Sequence, residues 1–178
     1  QAGETLLIPG GSGSLGQMAV PIAKALGLHV IVTGNARAKE RTLALGADEY
    51  LDYRQENYWE KLSDLDMVMD TLGPAEFEHE LSVLRKGGRL LSRRTGPNRA
   101  FAIQRQDPAL KKALFSLAGF KYDKKARQQG KTYRFMFVRA DGAQLEKVTE
   151  IVEKQHILPA VDPHRFTLAE ADDALQVV

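Results

Sequence analysis

Glycines near the amino end have a spacing that suits phosphate binding. Gly11, Gly13 and Gly16 fit the pattern G-x-G-x-x-G, and Gly10, Gly13 and Gly16 fit the looser G-x-x-G-x-x-G. The first glycine of such a loop permits a sharp turn, the second lets bare backbone approach a pyrophosphate, and the third lets a helix pack closely on the preceding strand. The helix N-terminus adds unpaired N–H groups and a partial positive charge. The residues predicted to hold the phosphates are Gly10, Gly11, Gly13, Ser14, Leu15 and Gly16.

The residues after the second apolar run bear on which dinucleotide fits. A carboxylate about 20 residues after the glycines would accept hydrogen bonds from the ribose of NAD and would repel the 2′-phosphate of NADP. Here Gly34 and Asn35 are followed by Arg37 and Lys39, and the first acid is Glu40. A small residue followed by basic ones leaves room for a 2′-phosphate and compensates its charge. We therefore favour NADP(H). The alternative is that Arg37 and Lys39 belong to an ordinary solvated helix start and bind no phosphate.

These residues need strands and helices to position them, and the apolar periodicity predicts such a scaffold. Strands are predicted over residues 5–9, 29–33, 49–53, 66–70, 89–92 and 132–138, with a turn at residues 87–88. Helices are predicted over residues 17–26, 37–45, 55–62, 74–84, 107–120, 142–154 and 168–177, and Thr167 with Glu170 caps the last one. This order predicts a doubly wound α/β Rossmann fold, with a mostly parallel six-stranded sheet and helices on both faces.

Composition narrows the class of protein. The chain has 178 residues, no cysteine and a net charge of +2, which suits one domain over residues 1–178. The lack of cysteine excludes a disulfide framework and a thiolate metal site on this chain. No apolar stretch is long enough to span a bilayer and no signal peptide is visible, so we expect a cytoplasmic protein without a membrane partner. The chain opens almost directly on a core strand, so we expect it to be a domain of a longer protein.

The basic residues are concentrated in one segment. Residues 93–134 hold twelve Lys or Arg but only two acids, Asp107 and Asp123. Such a segment can bind nucleic acid, attract an anionic substrate such as an acyl-CoA, or form a solvated helical excursion. It has no recognisable nucleic-acid motif, and its aromatic residues mostly fit helix faces. We therefore expect no nucleic-acid partner and favour the solvated segment.

Five ordered segments resemble the nucleotide-binding domain of the medium-chain dehydrogenase/reductase superfamily, in its quinone-oxidoreductase-like, zinc-independent branch. They are AGETLLIPGGSGSLG, the helix ending in AKALG, LALGADEYLDYR, DMVMDTLG and LSVLRKGGRLLS. The resemblance implies that a GroES-like substrate domain before this segment and a final strand after it are missing. The isolated domain is therefore expected to bind a dinucleotide even where it turns over nothing. The resemblance also implies a homodimer, formed through the aromatic sheet edge at residues 133–138.

Further cofactor contacts follow from position and from the resemblance. Ligands of open α/β sheets lie beyond the carboxyl ends of the strands, so the residues just after the fourth strand and those that end the fifth should face the nicotinamide half. These residues are Thr71, Leu72, Gly73 and Ser92. The resemblance adds Tyr53 near the adenosine, and Phe137 and Val138 beside the nicotinamide. The alternatives are surface packing for Tyr53 and core packing for the other two.

Together these features imply the cofactor-binding domain of an NADP(H)-dependent enzyme that acts by hydride transfer on a small molecule, namely a quinone, enone, aldehyde or alcohol. Hydride transfer needs mainly that the cofactor be held near the substrate carbon with water excluded. The four histidines lie far apart, so we assign no metal site and no catalytic residue. The alternatives are a non-catalytic nucleotide sensor and, less favoured because Gly34-Asn35 replaces an expected acid, an S-adenosylmethionine-dependent methyltransferase. A short-chain dehydrogenase fits less well, because Ser14 stands where the middle glycine of its G-x-x-x-G-x-G pattern belongs.

Overall fold

The computed structural model describes residues 1–159 and 164–177, and within them six strands form one sheet. The strands are β1 Thr5–Ile8, β2 His29–Gly34, β3 Glu49–Asp52, β4 Leu65–Asp70, β5 Leu84–Ser92 and β6 Thr132–Phe135. The helices are α1 Ser14–Ala25, α2 Lys39–Ala44, α3 Tyr58–Lys61, α4 Phe77–Ser82, α5 Arg99–Gln104, α6 Ala109–Gln128, α7 Gly142–Lys154 and α8 Ala171–Val177, with 3₁₀ turns at Ala36–Ala38 and Leu168–Glu170. The order across the sheet is β3-β2-β1-β4-β5-β6, and all neighbouring pairs are parallel.

The sheet separates two hydrophobic cores, because side chains alternate between the two faces along each strand. Leu7 of β1 packs in one core with Leu81 of α4 and Tyr122 of α6. Its neighbour Ile8 packs in the other core with Val20 of α1. Helices therefore cover both faces, and the prediction of a doubly wound α/β fold is confirmed.

The glycine-rich segment lies where the strand order reverses. The chain adds β2 and β3 on one side of β1 and then crosses to place β4 on the other side. Loops on either side of such a reversal leave a crevice outside the carboxyl ends of the strands, where open α/β sheets bind ligands. Residues 9–13 connect β1 to α1 at this point. The fold thus puts the predicted phosphate loop in the crevice.

The fifth and sixth strands differ from the prediction. Gly87 and Gly88 lie within β5, so the predicted turn there is wrong. Leu65 pairs with Leu84 and the next pair is Met67 with Arg89, so the two glycines fall in an irregular stretch where the strand bulges and then continues. β6 ends at Phe135, three residues before the predicted end of the strand.

An unpredicted helix, α5, follows β5. The side chain of Asn98 caps it by accepting a hydrogen bond from the Phe101 N–H at 3.1 Å. The Asn98 amide also donates to Asp123 of α6 at 2.7 Å, which ties the two helices together. Asn98 is fully buried, so this cap also serves as an internal link between helices.

Helix α6 is longer than predicted, and the face that it buries does not contain the leucines of its first half. It runs through residues 121–128, beyond the predicted end of the helix at residue 120. The helix buries Tyr122 and Ala126, whereas the side chains of Leu110, Leu114 and Leu117, which share one face by their spacing, are each more than half exposed. The spacing of apolar residues shows which side chains share a face of the helix, but it does not show which face packs against the rest of the protein.

The carboxyl-terminal part contains two further helices. Asp141 caps α7 by accepting a hydrogen bond from the Gln144 N–H at 3.1 Å. The predicted cap before α8 is confirmed, because the N–H and the hydroxyl of Thr167 each donate to the Glu170 carboxylate at 2.8 Å. The predicted single domain over residues 1–178 includes residues 160–163 and 178, which lie outside the described residues.

Candidate functional site

The loop between β1 and α1 is held by close backbone packing. Gly11 and Gly16 are both buried, and a Cβ atom on Gly16 would lie 1.6 Å from the carbonyl oxygen of Gly11. A Cβ atom on Gly11 would lie 2.9 Å from the carbonyl oxygen of Ile8. No side chain fits at either position, so these glycines allow α1 to start directly on the end of β1.

The middle of the loop is open instead. Gly13, Ser14 and Leu15 are exposed, and a Cβ atom on Gly13 would come no closer than 4.0 Å to another protein atom. The first turn of α1 carries no acidic residue, and no side chain caps it. Its orphan N–H groups and the positive end of the helix dipole therefore face free space. This arrangement fits a diphosphate, and an additional Cβ atom at Gly13 would occupy part of that space.

Gly10 joins this loop to the segment after β4. It has a φ of +67°, which favours glycine, and its N–H donates to the Thr33 hydroxyl at 3.1 Å. A Cβ atom here would lie 2.8 Å from the Leu72 side chain. The Thr71 hydroxyl donates to the Pro9 carbonyl oxygen at 2.5 Å. The loops after β1 and β4 therefore form one continuous surface.

A buried carboxylate fixes the two loops on the nicotinamide side of the predicted site. Asp70 is fully buried, and one of its oxygens accepts the N–H groups of Leu72 at 2.8 Å and Gly73 at 2.7 Å. The other oxygen accepts the hydroxyls of Ser92 at 2.5 Å and Thr95 at 2.7 Å. The Ser92 hydroxyl is thereby committed to a structural hydrogen bond. Asp70 links the loop after β4 to the loop after β5.

A basic cavity adjoins the glycine loop. It has a volume of about 380 Å³, and its walls are Ser12, Gly13, Asn35, Arg37, Ala38 and Arg41. The Arg41 guanidinium donates to the Ser12 carbonyl oxygen at 3.0 Å, which holds it beside the loop. Lys39, a sequence candidate, does not line this cavity, whereas Arg41, which sequence reasoning missed, does. Its spacing of four residues from Arg37, which puts both on one face of a helix, is the signal that could have found it.

Asn35 shows an unmet hydrogen-bonding capacity in this cavity. Its side-chain oxygen is buried and has no hydrogen-bond partner among the described residues. Buried polar atoms are normally paired, so this oxygen suits a donor from a bound molecule, such as a ribose hydroxyl. The residues present therefore fit a dinucleotide on two counts, the open space at Gly13 and the unpaired oxygen of Asn35.

Gly34 has a different role from the one that the sequence suggested. A Cβ atom on it would lie 2.1 Å from the Tyr50 hydroxyl and 2.6 Å from the Ser12 side chain. The Tyr50 hydroxyl in turn donates to the Asn35 carbonyl oxygen at 2.7 Å. The space beside Gly34 is thus filled by the protein itself, and room for a ligand lies farther along, at Arg37.

An aromatic cavity of about 380 Å³ lies on the other side of the loop. Gly10, Thr33, Tyr53, Glu56, Asn57, Tyr58, Trp59, Leu72 and Glu76 line it. Tyr53 is 55% exposed, and the Trp59 ring stacks on the His79 ring with centroids 3.7 Å apart. Sequence reasoning selected Tyr53 and Leu72 but missed Trp59, whose position on the short helix α3 carried no recognisable pattern. The cavity suits a flat ring system such as adenine.

The remaining candidates lie beyond β6. Phe137 is 69% exposed and Val138 is 75% exposed. Both line a third cavity, of about 670 Å³, with Phe101 and Arg105 of the α5 region and Phe135 of β6. This cavity is formed mainly by residues of α5 and by residues after β6, whereas the aromatic cavity is formed by residues that follow β1, β3 and β4. Phe137 and Val138 therefore lie on the β5 and β6 half of the sheet, whereas Leu72, after β4, lines the aromatic cavity.

Metal-binding and membrane-spanning features are absent from the described residues. Within residues 1–159 and 164–177, no three His, Asp or Glu side chains are grouped so that they could hold a metal ion. In the same part of the chain, no helix has the length and apolar character needed to cross a bilayer.

Comparison with known sequences gives the following relatives. The family model described as zinc-binding dehydrogenase matches residues 45–178. The chain is 30% identical to NAD(P)H oxidoreductase RTN4IP1, mitochondrial, of Danio rerio over 185 residues, which cover 99% of this chain and 46% of that protein. It is 33% identical to a quinone oxidoreductase of Homo sapiens over 98 residues, 51% of this chain and 30% of that protein. The chain spans about half the length of the first of these relatives, and less of the second.

Solved structures with the same fold include two quinone oxidoreductases. The structure from Coxiella burnetii has a TM-score of 0.76 and 21% identity, over 99% of this chain and 49% of that chain. The structure from Thermus thermophilus, described with its complex with NADPH, has a TM-score of 0.70 and 25% identity, over 99% of this chain and 54% of that chain. With the match to the family model, these findings show that the chain belongs to the zinc-binding dehydrogenase family of the medium-chain dehydrogenase/reductase superfamily.

Proposed function

We propose that this chain is the NADP(H)-binding domain of an oxidoreductase that transfers hydride to or from a quinone, enone, aldehyde or alcohol. Membership of the family supports a nicotinamide cofactor, and the similarity to an NAD(P)H oxidoreductase and a quinone oxidoreductase supports oxidoreductase chemistry. The choice of NADP(H) over NAD(H) rests on the site itself. The chain spans about half the length of the RTN4IP1 relative.

The proposed pose places each part of the cofactor against a different feature of the site. The diphosphate lies on the open backbone from Gly13 to the first turn of α1, where orphan N–H groups donate to it. The adenine enters the aromatic cavity at Tyr53 and Trp59. The nicotinamide extends along the loops that Asp70 holds, toward the cavity at Phe137.

One observation carries the preference for NADP(H), the basic cavity at the glycine loop. Arg37 and Arg41 line it, and no acidic side chain does. A 2′-phosphate there would gain charge-assisted hydrogen bonds from two guanidinium groups. An NAD-type site would instead place a carboxylate at this point to accept from the ribose hydroxyls.

The residues of this chain bind and orient, and the bound nicotinamide supplies the hydride. Asp70 keeps the loops after β4 and β5 in fixed positions, so the ring would meet a preorganised surface. No acid or base among the described residues is assigned to the reaction. Orientation of the cofactor is therefore the proposed catalytic contribution of this domain.

Calorimetric titration of the purified chain with NADPH and with NADH tests the proposal. We expect NADPH to bind at least about tenfold more tightly, which is the order of one charge-assisted contact. Equal affinities, or a preference for NADH, would contradict the NADP(H) assignment. Binding of S-adenosylmethionine with no response to either dinucleotide would contradict the oxidoreductase assignment as well.

We also propose that the domain forms a homodimer through the outer edge of β6. β6 is the last strand of the sheet, and its outer edge offers unpaired backbone groups to a second copy. The exposed Phe137 and Val138 follow directly and extend the apolar surface. Sedimentation velocity should show a dimer at micromolar concentration, and a monomer throughout that range would count against this edge as an interface.

A further inference from the structure

Glu80 of α4 is a buried acid whose titratable neighbours are other acids and a tyrosine. Its side chain is fully buried, and neither carboxyl oxygen has a hydrogen-bond partner among the described residues. Burying an ionised carboxylate in this way costs far more than burying a neutral one. Buried polar groups without partners are uncommon in folded proteins and call for an explanation. The explanation here lies in the neighbouring acids.

The first neighbour is Asp70, the carboxylate that fixes two loops of the proposed cofactor site. Asp70 is also fully buried, and it holds Gly73 at 2.7 Å and Thr95 at 2.7 Å. In both bonds the carboxyl oxygens of Asp70 are the acceptors, so they meet donors from both loops. A second negative charge next to Asp70 would repel a charged Asp70 and weaken the hydrogen bonds by which it holds the loops after β4 and β5.

The other groups that act on Glu80 lie toward the aromatic cavity. Glu76 precedes it by one helical turn, and the Tyr58 hydroxyl of α3 donates to Glu76 at 3.1 Å. Both residues line the aromatic cavity. In the part of the chain that the structure describes, the titratable groups that act on Glu80 are Asp70 from β4, Glu76 just before α4 and Tyr58 from α3, and none of the three is a cation. Glu80 is thus a neighbour both of Asp70, which holds the loops, and of residues that line the aromatic cavity.

We propose that Glu80 is a positioning residue for the cofactor, which acts as a neutral carboxylic acid. In this form it leaves Asp70 as the one fully buried negative charge behind the loops, so that these loops keep the geometry that binds NADP(H). When Glu80 loses its proton, repulsion between the two carboxylates loosens the loops and cofactor affinity falls. The inference rests on the proposed function, because it concerns binding at the same site.

The electrostatics of the cluster agree with this role. Burial raises the pKa of Glu80 to about 9, and the negative charges of Asp70 and Glu76 add to the effect. Burial also raises the pKa of the Tyr58 hydroxyl, so this neighbour stays protonated across the range in which Glu80 titrates. Glu80 is thus neutral near pH 7 and becomes charged in the alkaline range.

The test is the affinity for NADPH, measured by calorimetry from about pH 7 to about pH 10. Glu80→Gln keeps the shape of the neutral acid, and Glu80→Met replaces it with an apolar side chain of similar length. The matched control is Glu78→Gln, which changes an exposed acid of the same helix. Thermal unfolding at each pH confirms that every protein measured is folded.

We expect the wild type and Glu78→Gln to lose affinity above about pH 9, by up to roughly tenfold per pH unit, and the two Glu80 variants to stay flat by comparison. Parallel profiles for the wild type and Glu80→Gln would overturn the positioning role, and so would a loss of affinity in Glu80→Met that remained as steep as in the wild type. A wild-type protein that binds no NADPH at pH 7 would contradict the proposed function instead. The two failures are therefore distinguishable.

Discussion

Gly16 lies against the carbonyl oxygen of Gly11 so closely that no larger residue fits, whereas Gly13 in the same loop faces open space. Glycine is therefore needed at these two positions of one motif for different physical reasons. Gly16 is needed for the packing of α1 on the end of β1. Gly13 leaves a space that the folded chain itself does not use. This contrast gives the most direct mutational test of the loop.

Gly16→Ala should destabilise the domain, and Gly13→Ala should mainly weaken cofactor binding. The added methyl group at Gly16 forces the backbone apart, which we expect to cost about 3 kcal/mol of unfolding free energy. At Gly13 the extended backbone accepts alanine, and the loss should stay below about 1 kcal/mol. Urea unfolding measures both values, and calorimetry with NADPH should show at least about tenfold weaker binding by Gly13→Ala. If Gly13→Ala bound NADPH like the wild type, the diphosphate would not lie on this loop.

Arg41→Ala should remove most of the preference for NADPH over NADH. The guanidinium is held beside the loop by the Ser12 carbonyl oxygen and lines the basic cavity. Its loss should weaken NADPH binding by about 2 kcal/mol and leave NADH binding nearly unchanged. The control is Lys147→Ala, which removes an exposed positive charge on α7. Equal weakening of both dinucleotides would mean that Arg41 supports the loop and does not read the 2′-phosphate.

The fluorescence of Trp59 should report binding of the adenosine half alone. Trp59 is the single tryptophan of the chain, and its ring lines the aromatic cavity. Adenosine 2′,5′-bisphosphate lacks the nicotinamide and should produce a saturable change in emission, while AMP should need higher concentrations because it lacks the 2′-phosphate. Calorimetric binding of the bisphosphate without any change in emission would place the adenine outside this cavity.

Glu80 also makes a prediction for stability, measured without cofactor. The folded pKa of about 9 lies above the ordinary value of 4.5, so between these values the folded protein keeps a proton that the unfolded chain releases. The stability of the wild type therefore falls as pH rises through this window and levels off above about pH 9. Relative to Glu80→Gln, the free energy of unfolding should fall by about 1.4 kcal/mol per pH unit in the middle of the window. A difference between the two proteins that does not change with pH would show that Glu80 is charged in the fold.

The sequence predicted the fold well because its signals are local. A buried strand, a glycine turn and an amphipathic helix each leave a periodic pattern, and repetition of the unit indicates parallel strands. The capping pair Thr167 and Glu170 is such a local signal and was predicted correctly. Gly87 and Gly88 were misassigned as a turn, because the bulge that absorbs them depends on pairing with β4, which lies earlier in the chain.

The site was predicted less completely because its walls come from loops that are distant in sequence. Arg41 meets the Ser12 carbonyl oxygen across 29 residues, and no motif connects the two. Leu72, in the loop after β4, likewise lies beside Gly10 in the loop after β1, and no motif connects these two residues either. The resemblance to the family supplied Tyr53, whereas Trp59 and Glu80 had no matching pattern. Their roles depend on burial and on neighbours that only the folded chain reveals.

A crystal structure of the chain grown with NADPH tests the central claim most directly. We predict the diphosphate on the backbone from Gly13 to the first turn of α1, the adenine beside Trp59 and the 2′-phosphate between Arg37 and Arg41. A crevice that stays empty at saturating NADPH, or a cofactor whose 2′-phosphate points away from both arginines, would contradict the account.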